Sequence, residues 1–282
     1  MHSWTRRSGK KSGRLYGARA SWFDGNAWRR RSGCAGHRTD TFTSSRDSAT
    51  RRCGNDGDMS ACGVDLRVRW LGRVDFADAL VLQEKIVAEK REDSSHWDEL
   101  FLLEHEAVYT IGRTPDQSSL LGATHLPHPL FAINRGGQAT YHGPGQLMGY
   151  PIIDLRRFGR DLHRYLRWLE QLLIELLAEN KISASRRESL TGVWVGDRKI
   201  ASIGVGVRHW ITMHGFALNV CGDLSPFDQI VPCGINSVAM TSMEKETGRA
   251  FSVAAVAASL EKLALNRISD LRSAPEAEPI SA

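Results

Sequence analysis

From Val64 onward, apolar residues recur with the periods of regular secondary structure; before it the aliphatic residues Val, Ile and Leu are almost absent. Val68–Leu71 predicts a strand. Asp75–Glu92 carries apolar residues at helical spacing and predicts a helix. Glu99–Glu104 predicts a buried strand. Gln146–Leu155 is apolar but contains Tyr150-Pro151, which predicts an edge or bent strand. Leu162, Tyr165, Leu166, Leu169, Leu172, Leu173, Leu176 and Leu177 form a 3.6-period stripe and define the clearest helix. Gly192–Val195, Lys199–Val207 and Thr212–Val220 are successive strands, the first two joined by a Gly196-Asp197 turn. Phe251–Leu265 predicts a last helix, followed by a frayed tail after Ile268. Residues 60–268 show neither an internal repeat nor a long linker. The order of elements predicts an α+β fold, a mixed β-sheet with helices packed on it.

Composition changes this picture mainly at the N-terminus. Residues 1–58 contain no Val, no Ile and a single Leu, Leu15. Such a segment cannot bury enough apolar surface to offset its chain entropy, so we expect it to be disordered. It holds 13 of the 37 basic residues but only 5 of the 32 acidic ones. The net charge of +5 therefore belongs to this extension, and the body is mildly acidic, which argues against a nucleic-acid platform there. A basic arm, a transit peptide and upstream translation from a misplaced start all fit the composition. The lack of aliphatic residues for an amphipathic face favours the last, with Met59 as initiator. The expected organisation is an extension over 1–58, a catalytic domain over 59–268 and a flexible tail over 269–282. No stretch approaches the roughly 18 apolar residues of a membrane helix. The five cysteines, Cys34, Cys53, Cys62, Cys221 and Cys233, include no CxxC pair, so reduced thiols in a cytoplasmic protein are expected rather than zinc or disulfides.

Three segments carry candidate chemistry. Arg135–Gln146 (RGGQATYHGPGQ) is too rich in glycine to be a plain strand or helix. It reads either as a connecting loop or as a ligand loop whose bare backbone is flanked by Arg135, Thr140, Tyr141 and His142. In Thr191–Gly206, Lys199 opens a strand whose Ala201, Ser202, Gly204 and Gly206 are small enough for something to lie against them. Lys199 alone reads equally as a solvated strand-end lysine. In Ile230–Ile235, Cys233 stands between Pro232 and Gly234, either presented at a sharp turn or buried as a small hydrophobe.

Taken together these segments resemble the LipB family of octanoyl-acyl-carrier-protein:protein N-octanoyltransferases. The matching motifs are LLEHEAVYTIGR (Leu102–Arg113), RGGQATYHGPGQL (Arg135–Leu147), GVWVGDRKIASIGV (Gly192–Val205), HGFALNV (His214–Val220) and PCGI (Pro232–Ile235), in the family's order. The likeness covers roughly residues 64–265. It implies the biotin/lipoate protein ligase fold. It implies Cys233 as the acyl-thioester nucleophile and Lys199 as the partner that lowers its pKa. It further implies an acyl site formed by Arg135, Gly136, Gly137, Gln138, Ala139, Thr140, Tyr141, His142, Ser202, Ile203, Gly204, Gly215, Phe216 and Ala217. The implied partners are octanoyl-acyl carrier protein as donor, with lipoyl domains of 2-oxoacid dehydrogenases and the glycine cleavage H protein as acceptors. Neither a nucleic acid nor a membrane is expected among the partners.

A lysine ammonium about 4 Å from a thiol contributes up to about 4 kcal/mol at an effective dielectric near 20, before desolvation reduces it. A fall of about one to two units in the thiol pKa is expected. Thiolate content then rises by only about tenfold, and a lower pKa also makes a weaker nucleophile. We therefore expect Lys199 to shuttle protons as well. Backbone amides near Cys233 and Gly204, with His142, are the candidate oxyanion donors. His142 and His214 read equally as structural. Ala201, Ser202 and Gly204 are candidate walls of an acyl slot. A thioester is already activated, so neither a cofactor nor a metal is expected. The nearest rival is an ATP-dependent lipoate or biotin ligase of the same fold, which needs no cysteine nucleophile. A cysteine hydrolase and a non-enzymatic acyl- or RNA-binding protein are further alternatives.

Overall fold

The computed structural model describes residues 66–114, 118–120, 126–231 and 238–272. Residues 1–58, most of the tail beyond 268, and Cys233 lie outside these ranges. Seven strands form the main sheet in the order β1-β2-β6-β10-β9-β8-β7. They are β1 (Leu66–Val74), β2 (Asp98–His105), β6 (Gln146–Ile152), β7 (Ser185–Arg187), β8 (Leu190–Val195), β9 (Arg198–Arg208) and β10 (Ile211–Asn219). β1 and β2 run parallel and the remaining neighbours antiparallel. Three shorter strands, β3 (Val108–Ile111), β4 (Leu130–Ala132) and β5 (Thr140–His142), form a second sheet in the order β4-β3-β5.

One face of the main sheet is covered by α2 (Leu162–Glu179) and α4 (Val253–Arg267), the latter preceded by the five-residue α3 (Met243–Thr247). The predicted leucine stripe is the buried face of α2, where Tyr165, Leu169, Leu172, Leu173, Leu176 and Leu177 join a core with Val193, Ile200, Ala201 and Leu260. Each such side chain contributes about 1.5–3 kcal/mol. Asp161 caps α2 by accepting from the Arg164 amide, and the Trp168 indole donates to the Arg267 carbonyl at 2.8 Å, joining α2 to the end of α4. The other face receives α1 (Phe76–Glu92), capped by Asp75, over a second core of Phe101, Met148, Tyr150 and Ala217. Asp98, fully buried at the start of β2, accepts from Lys90 Nζ at 2.8 Å, from the Asp154 amide and from Arg157.

Three expectations change. β6 is central, between β2 and β10, although it contains Pro151. Its ladder with β10 breaks off at Gly149, and the Pro151 carbonyl, pointing the same way as the missing N–H would, accepts from Thr212 Oγ1 at 2.7 Å. The missing donor therefore falls in a gap of the pairing with β10, which resumes at Ile153 and Asp154, and pairing with β2 continues through Leu100. The packed chain also runs beyond 268, because Ile268–Leu271 form a 3-10 turn with Ile268 and Leu271 buried. The glycine-rich segment, finally, includes the short strand β5, paired to β3.

Candidate active site

The glycines bring a loop down onto the sheet. The Gly136 amide donates to the Val205 carbonyl of β9 at 2.9 Å, and the Arg113 amide to the Arg135 carbonyl at 3.0 Å. A Cβ on Gly206 would stand 2.4 Å from the Asn134 carbonyl oxygen, and one on Gly112 would stand 2.1 Å from that of Gly137. Neither position has room for a side chain. Between loop and sheet lies one cavity with about 480 Å³ of free space, counting its open mouth. Its floor includes Gly204 and Gly215, which face each other across β9 and β10 and leave bare backbone.

Most of the expected acyl-site residues meet here. Arg135, Gly136, Gly137, Thr140 and His142 come from the loop and β5; Ser202, Ile203 and Gly204 from β9; Gly215, Phe216 and Ala217 from β10. Gln138, Ala139 and Tyr141 do not line the cavity. Ala139 and Tyr141 point the other way, into a separate core with Tyr109, Leu224, Phe227 and Ile230, because alternate residues of a strand face opposite sides. Ala201 likewise belongs to the helix-covered core rather than to the slot. Phe76, Ile133, Met148, Tyr150 and His214 complete the lining. Apart from His214 these are ordinary core residues in the sequence, and no local signal distinguishes them.

Arg135 is oriented inward. Its Nη1 donates to the Gly136 carbonyl, and Nη2 to the carbonyl and hydroxyl of Thr110 on β3 at 3.0 and 2.9 Å. Thr110 Oγ1 also lies 3.2 Å from His142 Nε2. His105 Nδ1–H donates to the Val74 carbonyl at 2.7 Å, so its Nε2 accepts from the Tyr150 hydroxyl at 2.7 Å. Burial disfavours charge on all three histidines here. It lowers His105, pushes His142 well below the ordinary imidazole value with help from His105 and Arg135, and brings His214 down to about 4. Burial also raises the Tyr150 hydroxyl far above its usual range, keeping it a neutral donor. His214 has a φ of 58° within β10, rare for a residue with a side chain, and its amide donates to Gln83 Oε1 of α1.

Lys199 is not a solvated strand-end lysine, since only 1% of its surface is exposed. A β-bulge sets its direction. Val193 pairs with Ala201 but Trp194 pairs with Lys199, leaving Ile200 as the extra residue. Ile200 and Ala201 therefore both face the helix-covered core, and Lys199 turns to the face of Ser202 and Gly204. There its Nζ lies 5.2 Å from the centre of the Trp194 ring. Gly192 makes room for the stem, since a Cβ there would stand 2.7 Å from Lys199 Cε. The Lys199 backbone is fixed from outside the sheet, its amide donating to the Ala239 carbonyl and its carbonyl accepting from the Thr241 amide.

This architecture is that of the lipoate protein ligases. A solved lipoate-protein ligase A bound with ATP superposes with a TM-score of 0.58 over 73% of this chain and 85% of that one, at 15% identity. A lipoate protein ligase of Thermoplasma acidophilum, solved in a study of that archaeon's bipartite enzyme and its E2 lipoyl domain, does so at 0.54 over 74% and 84%, also at 15% identity. The model of the lipoyl protein ligase A/B catalytic domain matches residues 75–263, and the chain belongs to that family. Within it the branch is that of the LipB octanoyltransferases, which are acyltransferases. The octanoyltransferase of Geobacter sulfurreducens is 50% identical over 184 residues, covering 65% of this chain and 77% of the relative. That of Syntrophotalea carbinolica is 47% identical over 193 residues, covering 68% and 90%. Octanoyl transfer in protein lipoylation is accordingly the activity of the chain. No helix among the described residues is long and apolar enough to cross a membrane.

Proposed function

We propose that the chain takes an octanoyl group from acyl carrier protein and delivers it to the lysine amine of lipoyl domains through a thioester on Cys233. The acceptors are the lipoyl domains of 2-oxoacid dehydrogenases and the glycine cleavage H protein, and the reaction is the first step of endogenous lipoylation. The observation that carries this reading is the buried Lys199 on the same face of β9 as Ser202 and Gly204, which line the cavity under the glycine-rich loop. The role of Cys233 rests on the PCGI motif of the sequence, not on geometry.

In the first half, the Cys233 thiolate attacks the carrier thioester carbonyl. A carbon–sulfur bond forms to Cys233, the bond to the carrier's phosphopantetheine sulfur breaks, and the departing thiolate takes a proton from the Lys199 ammonium. In the second half, the acceptor amine attacks the enzyme thioester. Its proton passes to the now neutral Lys199, and the Cys233 thiolate leaves. No net charge or electron is left over, and no nucleotide enters. The cavity retains the apolar chain at about 0.8 kcal/mol per buried methylene while the two partners exchange. In this scheme the neutral imidazole of His142 and a backbone amide near Gly204 donate to the developing oxyanion.

The reading is tested by mixing the protein with octanoyl-acyl carrier protein and a lipoyl domain, with and without ATP. Octanoylation of the domain that is unaffected by ATP, and reduced at least a hundredfold in Lys199→Ala, is the expected result. Dependence on ATP would instead establish a ligase.

A further inference from the structure

The cavity has two distinct ends. Its floor runs across three strands in register: Ser202 of β9 faces Ala217 of β10, and Ala217 faces Met148 of β6. Ser202 marks the β9 end of this row; Lys199 lies three residues earlier on that strand and is not among the lining residues. Two inter-strand spacings of about 4.8 Å make the row roughly 10 Å long. An extended acyl chain advances roughly 1.25 Å per carbon, from ordinary C–C bond lengths and angles. About eight carbons therefore bridge β9 and β6.

The β6 end is closed by a wall that cannot swing aside. Tyr150 stands two residues from Met148 on the same face, and its hydroxyl is held by His105, itself held by the Val74 carbonyl. Phe76 packs edge-on to His105 with ring centres 5.2 Å apart and parallel to His142 at 6.4 Å, with an interplanar angle of 6°. His142 is in turn held by Thr110. All of these side chains are buried, and the hydrogen bonds and ring contacts hold Tyr150, His105 and His142 in place.

We propose that Met148 and Tyr150, backed by the Phe76–His105–His142 cluster, form a fixed ruler that sets the acyl-chain length. This rests on the reading of the cavity as the acyl site. A chain that is too short leaves the wall uncovered and loses about fourfold in kcat/KM per missing methylene. A chain that is too long must displace packed aromatic rings and loses about tenfold or more at the first extra carbons. The distal wall, rather than the chemistry at the β9 end, then accounts for a preference for eight carbons.

The test uses the full chain and two opposite changes. Met148→Ala deepens the far end, and Ala217→Val raises the floor midway. Transfer is measured with acyl carrier proteins loaded with chains of six to fourteen carbons. Binding of the free fatty acids over the same lengths is measured by thermal shift, which needs no catalysis. Met148→Ala should move both optima about two carbons longer, and Ala217→Val should move both about two carbons shorter. Optima unchanged in the folded variants, or a wild-type protein with no length optimum in binding, would overturn the ruler. If the wild type binds octanoate with a sharp optimum but transfers nothing, the assignment of function fails while the ruler stands. Because the variants change the cavity in opposite senses, loss of one to misfolding leaves the other decisive.

Discussion

Gly206→Ala puts a methyl group where the glycine loop touches β9. The added Cβ would lie 2.4 Å from the Asn134 carbonyl oxygen, a backbone atom with no flexible end to move away. Restoring contact distance requires the loop to retreat by roughly 1 Å, given carbon–oxygen contacts of about 3.3 Å or more. That retreat breaks the 2.9 Å bond from the Gly136 amide to the Val205 carbonyl, which contributes about 1 kcal/mol. Overpacking adds about 1–3 kcal/mol. A total near 3 kcal/mol lowers the melting temperature by roughly 6–12 °C in a domain of this size. Arg135 moves with the loop, and a displacement of about 1 Å in a positioning group can lower turnover by roughly a hundredfold. Gly136→Ala is the control: its Cβ would sit 3.8 Å from the nearest atom, the Val205 carbonyl oxygen, and is accommodated. Calorimetry and acyl-donor kinetics on both variants read the difference. Equal melting temperatures and equal kcat/KM would refute the claim that bare backbone at Gly206 seats the loop.

Two further predictions concern stability. His214 takes up its proton near pH 4 when folded but near 6.5 when unfolded, so the unfolded chain binds protons first as pH falls. Stability should therefore decline between about pH 6.5 and 4, by about 3 kcal/mol for this residue, with His105 and His142 acting in the same direction. Denaturant titrations at pH 7 and 4.5 measure the slope, and His214→Asn, which tolerates positive φ, should flatten it; an unchanged slope would contradict the assignment. Asp98→Asn leaves the fully buried Lys90 ammonium without its carboxylate and should cost about 3–5 kcal/mol in urea unfolding at neutral pH.

Much of this molecule is legible in its sequence, for identifiable reasons. Helices with a continuous apolar stripe, such as α2, announce themselves because periodicity over five turns is a strong local signal. The long hairpin strands β9 and β10 do the same. The small sheet does not, since β4 and β5 are three residues each and β3 four, too short for alternation to show. Pro151 misleads because the escape of its missing donor depends on where the pairing with β10 is interrupted, a tertiary fact. The direction of Lys199 is equally hidden: strict alternation would turn it with Ala201 into the helix-side core, and only the unpaired Ile200 reverses it. The far wall of the cavity gathers Phe76, His105, His142 and Tyr150 from four separate segments, each unremarkable on its own strand or helix.

The covalent scheme is tested most directly by the intact mass of the protein after brief exposure to octanoyl-acyl carrier protein, with no acceptor present. The account predicts a gain of one octanoyl group, located on Cys233 by peptide mapping, released by hydroxylamine and absent from Cys233→Ala. An adduct elsewhere, or undiminished octanoylation of a lipoyl domain by Cys233→Ala, would contradict it.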